Sequence, residues 1–312
     1  MTAVQTALAA LPALPALPAL PVLPVLPVLP LPESPRHHHT GGPGVAWSPL
    51  LAASVASLAS VAVVYALAAH RLRRRGHPWP WTWQACFVAG TALLAAAFVV
   101  PMPAGPFTAH MGRHLLAGML APVLLVLGRP LRLALRGLRP GRARRAVLAV
   151  AHSRPIGLLV SPATAVVLDM GGLWLLYRTP LLAATGHHEW LHVAVHVHVV
   201  AAGTLFAFAV CRLDPVRRGW SVPWRAGALL AGGTAHAVLA KTLYAVPPPG
   251  TAFAAADLRA GAQLMYYGGD AVELLLAAVV AAQWYAATGR AQRHASRRAL
   301  RRATAAGPAP VA

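Results

Sequence analysis

From residue 47 onward, long apolar stretches alternate with short stretches that are rich in arginine. A helix needs about 20 consecutive apolar residues to cross the hydrocarbon core of a bilayer. Seven stretches reach that length, so the pattern predicts an all-α, polytopic integral membrane protein with seven transmembrane helices. The predicted spans are residues 49–70, 81–100, 107–128, 155–177, 190–211, 223–246 and 262–285.

The arginines are distributed unevenly among the loops. The segments that follow the first, third, fifth and seventh spans hold most of them, whereas the segments on the other side hold only Arg36, Arg178 and Arg259. Positively charged loops remain on the cytoplasmic side. We therefore expect the N-terminus to lie outside and the C-terminus to lie in the cytoplasm.

The two ends of the chain differ from its apolar centre. Residues 1–46 are rich in Leu, Pro and Ala, and a proline recurs every third residue from Pro12 to Pro30, which is incompatible with a helix. We predict a disordered arm at 1–46, a membrane domain at 47–287 and a basic cytoplasmic tail at 288–312.

Composition narrows the class further. The chain is 57% hydrophobic and only 11% charged, yet its net charge is +20. Its basic residues flank apolar runs instead of mixing with polar ones, so we expect no nucleic-acid partner. Two cysteines are too few for a disulfide framework. Nucleotide-binding and hydrolase motifs are missing from the sequence, and we expect a protein that is not an enzyme.

Several titratable residues lie inside the predicted spans. Ionisable groups in a bilayer are costly, so they are functional candidates by default. At 1.5 Å of rise per residue, most of these groups fall in the outer half of the membrane. They are His110 and His114 in span three, Asp169 in span four, His192 and His196 in span five, His236 and Lys241 in span six, and Asp270 and Glu273 in span seven.

Two histidine pairs have the spacing of a metal-binding helix face. His110 and His114 are four residues apart, as are His192 and His196, and such pairs lie on one side of a helix. Two helices of this kind would offer four imidazoles. Asp270 or Glu273 would orient these ligands, with Asp169, His236 and Lys241 in support.

The residues alone leave other interpretations open. The histidines could be packing groups that form hydrogen bonds between helices. Imidazoles of spans three and five could ligate haem b in a membrane redox protein. A relay of Asp169, His236, Asp270 and Glu273 could serve a proton-coupled transporter.

Residues 107–131, FTAHMGRHLLAGMLAPVLLVLGRPL, resemble the signature of bacterial cytochrome c oxidase assembly proteins of the CtaG type, which are linked to caa-type oxidases. The HxxxH of span five and residues 236–245 and 261–273 resemble the actinobacterial branch. One position departs from the pattern: Arg178 stands near the place where many members carry the histidine of a WHxP element.

The resemblance implies a multi-pass plasma-membrane protein that helps to assemble a haem–copper oxidase in the respiratory chain. It implies partners among the oxidase subunits, above all the exposed subunit that carries copper. The lipid bilayer surrounds the protein. Taken with the histidine pairs, it predicts that His110, His114, His192 and His196 hold copper near the outer surface.

Overall fold

A computed structural model describes residues 49–214 and 220–305 of the chain. Throughout these residues the regular structure is helical, with no strand, which confirms the all-α class. The predicted arm at 1–46 lies outside the described residues. The helices are α1 (Pro49–Arg74), α2 (Trp81–Val99), α3 (Pro106–Arg113, His114–Leu120 and Ala121–Leu127), α4 (Pro130–Gly137), α5 (Arg142–Ala151), α6 (Arg154–Leu159), α7 (Pro162–Arg178), α8 (Leu181–Thr185), α9 (Glu189–Cys211), α10 (Val222–Ala245) and α11 (Ala255–Ala305).

Five segments of the described chain are long and apolar enough to cross a membrane. This finding agrees with a multi-pass membrane protein. The five segments are Leu51–Arg74, Trp81–Val99, Pro106–Gly137, Glu189–Cys211 and Ala255–Arg293.

The other two predicted spans form helices with distinct features. Span four is divided at Val160 and Ser161, and α7 starts afresh at Pro162 because the Ser161 hydroxyl accepts the Thr164 N–H at 3.2 Å. Span six becomes the 24-residue α10, whose apolar sequence is interrupted by His236 and Lys241.

The last helix is longer than the apolar pattern predicts. It runs for 51 residues, about 75 Å, and therefore continues well into the segment that we assign to the basic tail. Two short helices, α4 and α5, occupy the arginine-rich segment after span three.

Helices α3, α7, α10 and α11 pack around two buried apolar clusters. The first core cluster includes Phe107, Met111, Met170, Leu173, Leu176, Tyr177, Leu239, Leu243 and Met265. The second core cluster, to which α9 also contributes, includes Val123, Val126, Ala165, Phe206, Val210, Leu229, Val272 and Leu276. Along their own helices, His114, Asp169, His236 and Asp270 each fall between residues of the two clusters. The polar groups therefore occupy a layer between two apolar cores.

Candidate functional site

The middle of α3 is a π-helical segment, His114–Leu120. Pro122 follows it and has no N–H to donate to the preceding turn, and the Ala121 N–H donates to the carbonyl of Leu116, five residues earlier. π-Helical segments are rare and are frequent at functional sites. Here the segment begins at one of the predicted ligands, His114.

Tyr177 of α7 lies between the two histidines of α3. Its hydroxyl and the Nε2 of His110 form a hydrogen bond of 3.0 Å, in which the donor depends on the histidine tautomer. The rings of His110 and His114 both meet the Tyr177 ring edge-on, with centroids 5.8 and 6.5 Å away. The two histidines thus share one helix face, as their spacing predicts.

His114 faces His236 of α10 inside the protein. Their ring centroids are 5.9 Å apart, and the ring planes differ by 29°. The side chains are 7% and 1% exposed. None of their four ring nitrogens has a hydrogen-bond partner among the described residues. Buried polar atoms are normally satisfied, so this pair requires an explanation.

A carboxylate approaches the same pair from α11. Glu273 Oε1 lies 3.7 Å from His236 Nδ1, which is close for charge interaction but too long for a hydrogen bond. Two glycines make the approach possible: a Cβ at Gly233 would collide with the Glu273 carboxylate, and a Cβ at Gly269 would collide with the His236 ring. The absence of a side chain at these two glycines thus leaves room for Glu273 beside α10 and for His236 beside α11.

The remaining acidic candidates lie beside Glu273. Asp270 and Glu273 line a cavity of about 420 Å³ between α10 and α11, together with Gly233 and Thr234. Asp169 on α7 is half-buried and lies within electrostatic range of Glu273. Three predicted carboxylates are therefore gathered near His236, with Glu273 the one that reaches it.

His192 and His196 form a separate pair on α9. Their ring centroids are 4.3 Å apart, and His192 is exposed. His196 Nδ1 donates a hydrogen bond to the His192 carbonyl at 2.8 Å and its ring contacts Phe98. Both histidines lie within electrostatic range of His110. They therefore lie near His110, with His192 exposed and His196 half-buried.

Lys241 takes a different environment from the acidic residues. Its Nζ lies 5.3 Å from the centre of the Tyr266 ring, in a cation–π geometry. Within the described part of the chain, no ion pair joins it to Asp270 or Glu273. The structure therefore does not join Lys241 to the histidine and carboxylate layer.

The described residues contain no group of three or more His, Cys, Asp and Glu side chains arranged to hold a metal ion. The four histidines predicted as ligands are divided instead into the α3 pair and the α9 pair. What the structure does bring together is a buried array across four helices, consisting of His110, Tyr177, His114, His236 and Glu273, which we call the imidazole site.

Residues 63–287 match the family described as cytochrome c oxidase caa3 assembly factor. The chain belongs to this family. The matched residues include the whole imidazole site and all of the predicted metal and supporting residues. The family assignment that residues 107–131 suggest is confirmed.

Relatives of this caa3 assembly factor family member occur in mycobacteria. Uncharacterized proteins of Mycobacterium bovis and Mycobacterium tuberculosis are each 36% identical over 186 residues, covering 57% of this chain and 28% of theirs. An uncharacterized protein of Mycobacterium leprae is 32% identical over 177 residues, covering 54% of this chain and 27% of its own length. The chain thus spans little more than a quarter of these relatives. No solved structure matches it.

Sequence reasoning missed three residues that build the site and a fourth, Asp257, that caps α3 away from it. Tyr177 ends an apolar run and carries no sequence signal of its contact with two histidines. Gly233 and Gly269 are ordinary in a membrane helix until the opposing side chain is known. Asp257 caps α3 from the start of α11: its carboxylate accepts the N–H of Phe107 at 2.8 Å. It also accepts the N–H of the next residue at 3.0 Å and that residue's hydroxyl at 2.6 Å.

Proposed function

We propose that this protein assists the assembly of a caa3-type cytochrome c oxidase by holding copper, as cargo for the oxidase copper centre, between His114 and His236. The observation that carries the proposal is the pairing of two buried imidazoles whose ring nitrogens have no partner among the described residues. The protein would act as a binding factor without a catalytic step.

The chemistry of the pair favours a metal ligand role. A neutral imidazole has one N–H donor and one acceptor nitrogen. A buried polar atom without a partner costs about 1–3 kcal/mol, and a bound metal ion removes that cost by taking the acceptor lone pair. Imidazole is a suitable copper ligand, and Cu(I) accepts as few as two ligands.

The neighbours of the pair suit copper as well. A metal-binding histidine usually directs its second nitrogen to a carboxylate, and Glu273 lies 3.7 Å from His236 Nδ1. We therefore expect Nε2 of His236 to be the metal-binding atom. Met111, Met170 and Met265 lie buried in the adjoining first core cluster, and thioether sulfur favours Cu(I).

We assign His192 and His196 a place outside the buried ligand set. The exposure of His192 and the position of both residues near His110 suit a route by which copper reaches or leaves the imidazole site. His110 is hydrogen-bonded to the Tyr177 hydroxyl at 3.0 Å and lies on the same helix face as His114.

The membrane arrangement follows from the same proposal. We propose seven spans in the plasma membrane, with α6–α7 and α10 as the fourth and sixth, the N-terminus outside and the C-terminus inside. In that orientation the imidazole site lies in the outer half of the bilayer. The partner is then the exposed, copper-carrying subunit of the oxidase.

The test is the copper content of the purified protein after loading with Cu(I) under reducing conditions. We expect about one copper per chain in the wild type, in the His110→Ala variant and in a His192→Ala/His196→Ala control. We expect loss of copper in His114→Ala/His236→Ala. When each variant complements a deletion strain, the absorption of the oxidase copper centre should be lost only with His114→Ala/His236→Ala.

Three results would overturn the proposal. One is full copper binding by the His114→Ala/His236→Ala variant. A Soret band in the purified protein would favour haem b instead. Proton-coupled flux in proteoliposomes, abolished by Glu273→Gln, would favour transport.

A further inference from the structure

A groove between α1 and α4 lies away from the imidazole site. It has a volume of about 560 Å³, and Phe87 of α2 also lines it. Its walls are mostly apolar and hold no acidic side chain. Their apolar residues include Val61, Val64, Tyr65, Leu133 and Ala134.

Both charged residues of the groove lie at one end. Arg71 lies in the last turn of α1 and Arg75 directly follows that helix, and both are exposed. Arg75 donates one hydrogen bond, to the carbonyl of Gly137 at 3.3 Å. Because no carboxylate lines the groove, the two guanidinium groups present uncompensated positive charge at its mouth.

The buried tyrosine of the groove, Tyr65, already has its hydroxyl hydrogen-bonded within the protein. The Tyr65 hydroxyl donates to the Gly128 carbonyl at 2.6 Å and accepts the Trp79 indole N–H at 3.3 Å. Val61 and Val64, on the same helix as Tyr65, are 50% and 65% exposed. The groove is therefore an open apolar channel that leads to a cationic mouth.

The length of the groove matches one leaflet of a bilayer. From Ser60 to Arg75 the axis of α1 advances about 22 Å. Half of the hydrocarbon core is about 15 Å thick, and the headgroup layer lies beyond it. We propose that this groove binds one anionic phospholipid, with an acyl chain along Val61, Val64 and Leu133 and the phosphate between Arg71 and Arg75.

The charge selects an anionic lipid over a zwitterionic one. Guanidinium groups form paired hydrogen bonds with phosphate oxygens, and the adjoining ammonium of a zwitterionic headgroup would meet the same positive charge. The proposal does not depend on copper binding. The orientation proposed above decides only the leaflet, which is the cytoplasmic one.

The experiment measures the lipid that stays with the full chain in detergent. The protein is exchanged into mixed micelles with equal amounts of phosphatidylglycerol and phosphatidylcholine, and bound lipid is counted by native mass spectrometry. We expect one retained phosphatidylglycerol. Arg71→Gln/Arg75→Gln should lower its retention about 30-fold, which corresponds to about 1 kcal/mol for each arginine. Ala134→Trp, which fills the groove, should also expel it.

The matched control is Arg142→Gln/Arg145→Gln, which removes the same charge from α5, outside the groove. It should retain the lipid. Equal retention of both lipids by the wild type would overturn the proposal, as would equal loss in the control. Displacement of the lipid by millimolar inorganic phosphate, or a bound protein in place of lipid, would also overturn it.

Discussion

Replacement of His236 by leucine should stabilise the metal-free protein, although the substitution removes a proposed ligand. The side chain is 1% exposed, and neither ring nitrogen has a hydrogen-bond partner among the described residues. Leucine is of similar size and has no polar atom to bury. The substitution therefore removes a cost without opening a large cavity.

The magnitude follows from two opposing contributions. Each buried polar atom without a partner costs about 1–3 kcal/mol, so the two ring nitrogens together allow a gain of several kcal/mol. The change in side-chain shape lowers the free energy of unfolding by up to about 1.5 kcal/mol. The 3.7 Å contact with Glu273 is also lost. We expect a net increase of about 1–3 kcal/mol in the free energy of unfolding.

The assay is chemical denaturation of His236→Leu and wild type in one detergent with a copper chelator. His198→Leu is the control, because His198 is exposed and its Nε2 donates to the Leu168 carbonyl at 3.2 Å. That variant should not gain stability. Copper at 100 times its Kd should stabilise the wild type and His198→Leu by about 2.7 kcal/mol, and should not stabilise His236→Leu. A loss of more than about 1 kcal/mol in chelated His236→Leu would refute the reasoning.

Three further predictions test how the site is built. Asp257→Ala should destabilise the protein by about 2–4 kcal/mol, because it removes charged hydrogen bonds that cap α3, whereas the asparagine variant should lose less in the same denaturation assay. Gly233→Ala should lower both copper content and stability, because its Cβ would collide with the Glu273 carboxylate. The control Gly227→Ala on the same helix has open space around its Cβ and should stabilise the protein by about 0.5–1 kcal/mol. Tyr177→Phe should free His110 from its 3.0 Å hydrogen bond and cost about 0.5–1.5 kcal/mol with copper retained; unchanged stability would contradict the contact.

The helical segments could be predicted from the sequence because hydrophobicity acts over a local window. The ends of α2 and α9 differ from the predicted bounds by one residue. The division of span four before Pro162 was not predicted from the sequence, because a proline can also lie inside a transmembrane helix, as Pro122 does in α3. The difference lies in the neighbour: Ser161 supplies a cap for a new helix, whereas Leu120 and Ala121 continue the turn through a π-helical segment.

The partner of His114 could not be predicted from the sequence. Spacing establishes which residues share a face of one helix, and distance from a helix end establishes their level. Neither establishes which helix lies opposite. The sequence pairs α3 with α9, whereas the structure pairs His114 with His236 of α10. The choice depends on Gly233 and Gly269, whose missing side chains let α10 and α11 bring His236 and Glu273 inward.

The hydrogen bonds that fasten α3 and α4 lie at helix ends, away from the imidazole site. Asp257 caps the start of α3, and Asp214 caps the start of α4 by accepting the N–H of Leu131 at 3.3 Å and of Arg132 at 3.0 Å. Burial raises the pKa of the Asp214 carboxyl, and these two hydrogen bonds oppose that rise. The hydrogen bonds of Asp257 and Asp214 thus join helix ends, while His114 and His236 have no hydrogen-bond partner among the described residues. Two buried histidines without hydrogen-bond partners among the described residues are a local violation of the kind that folds keep at functional sites, which is why binding explains them better than stability does.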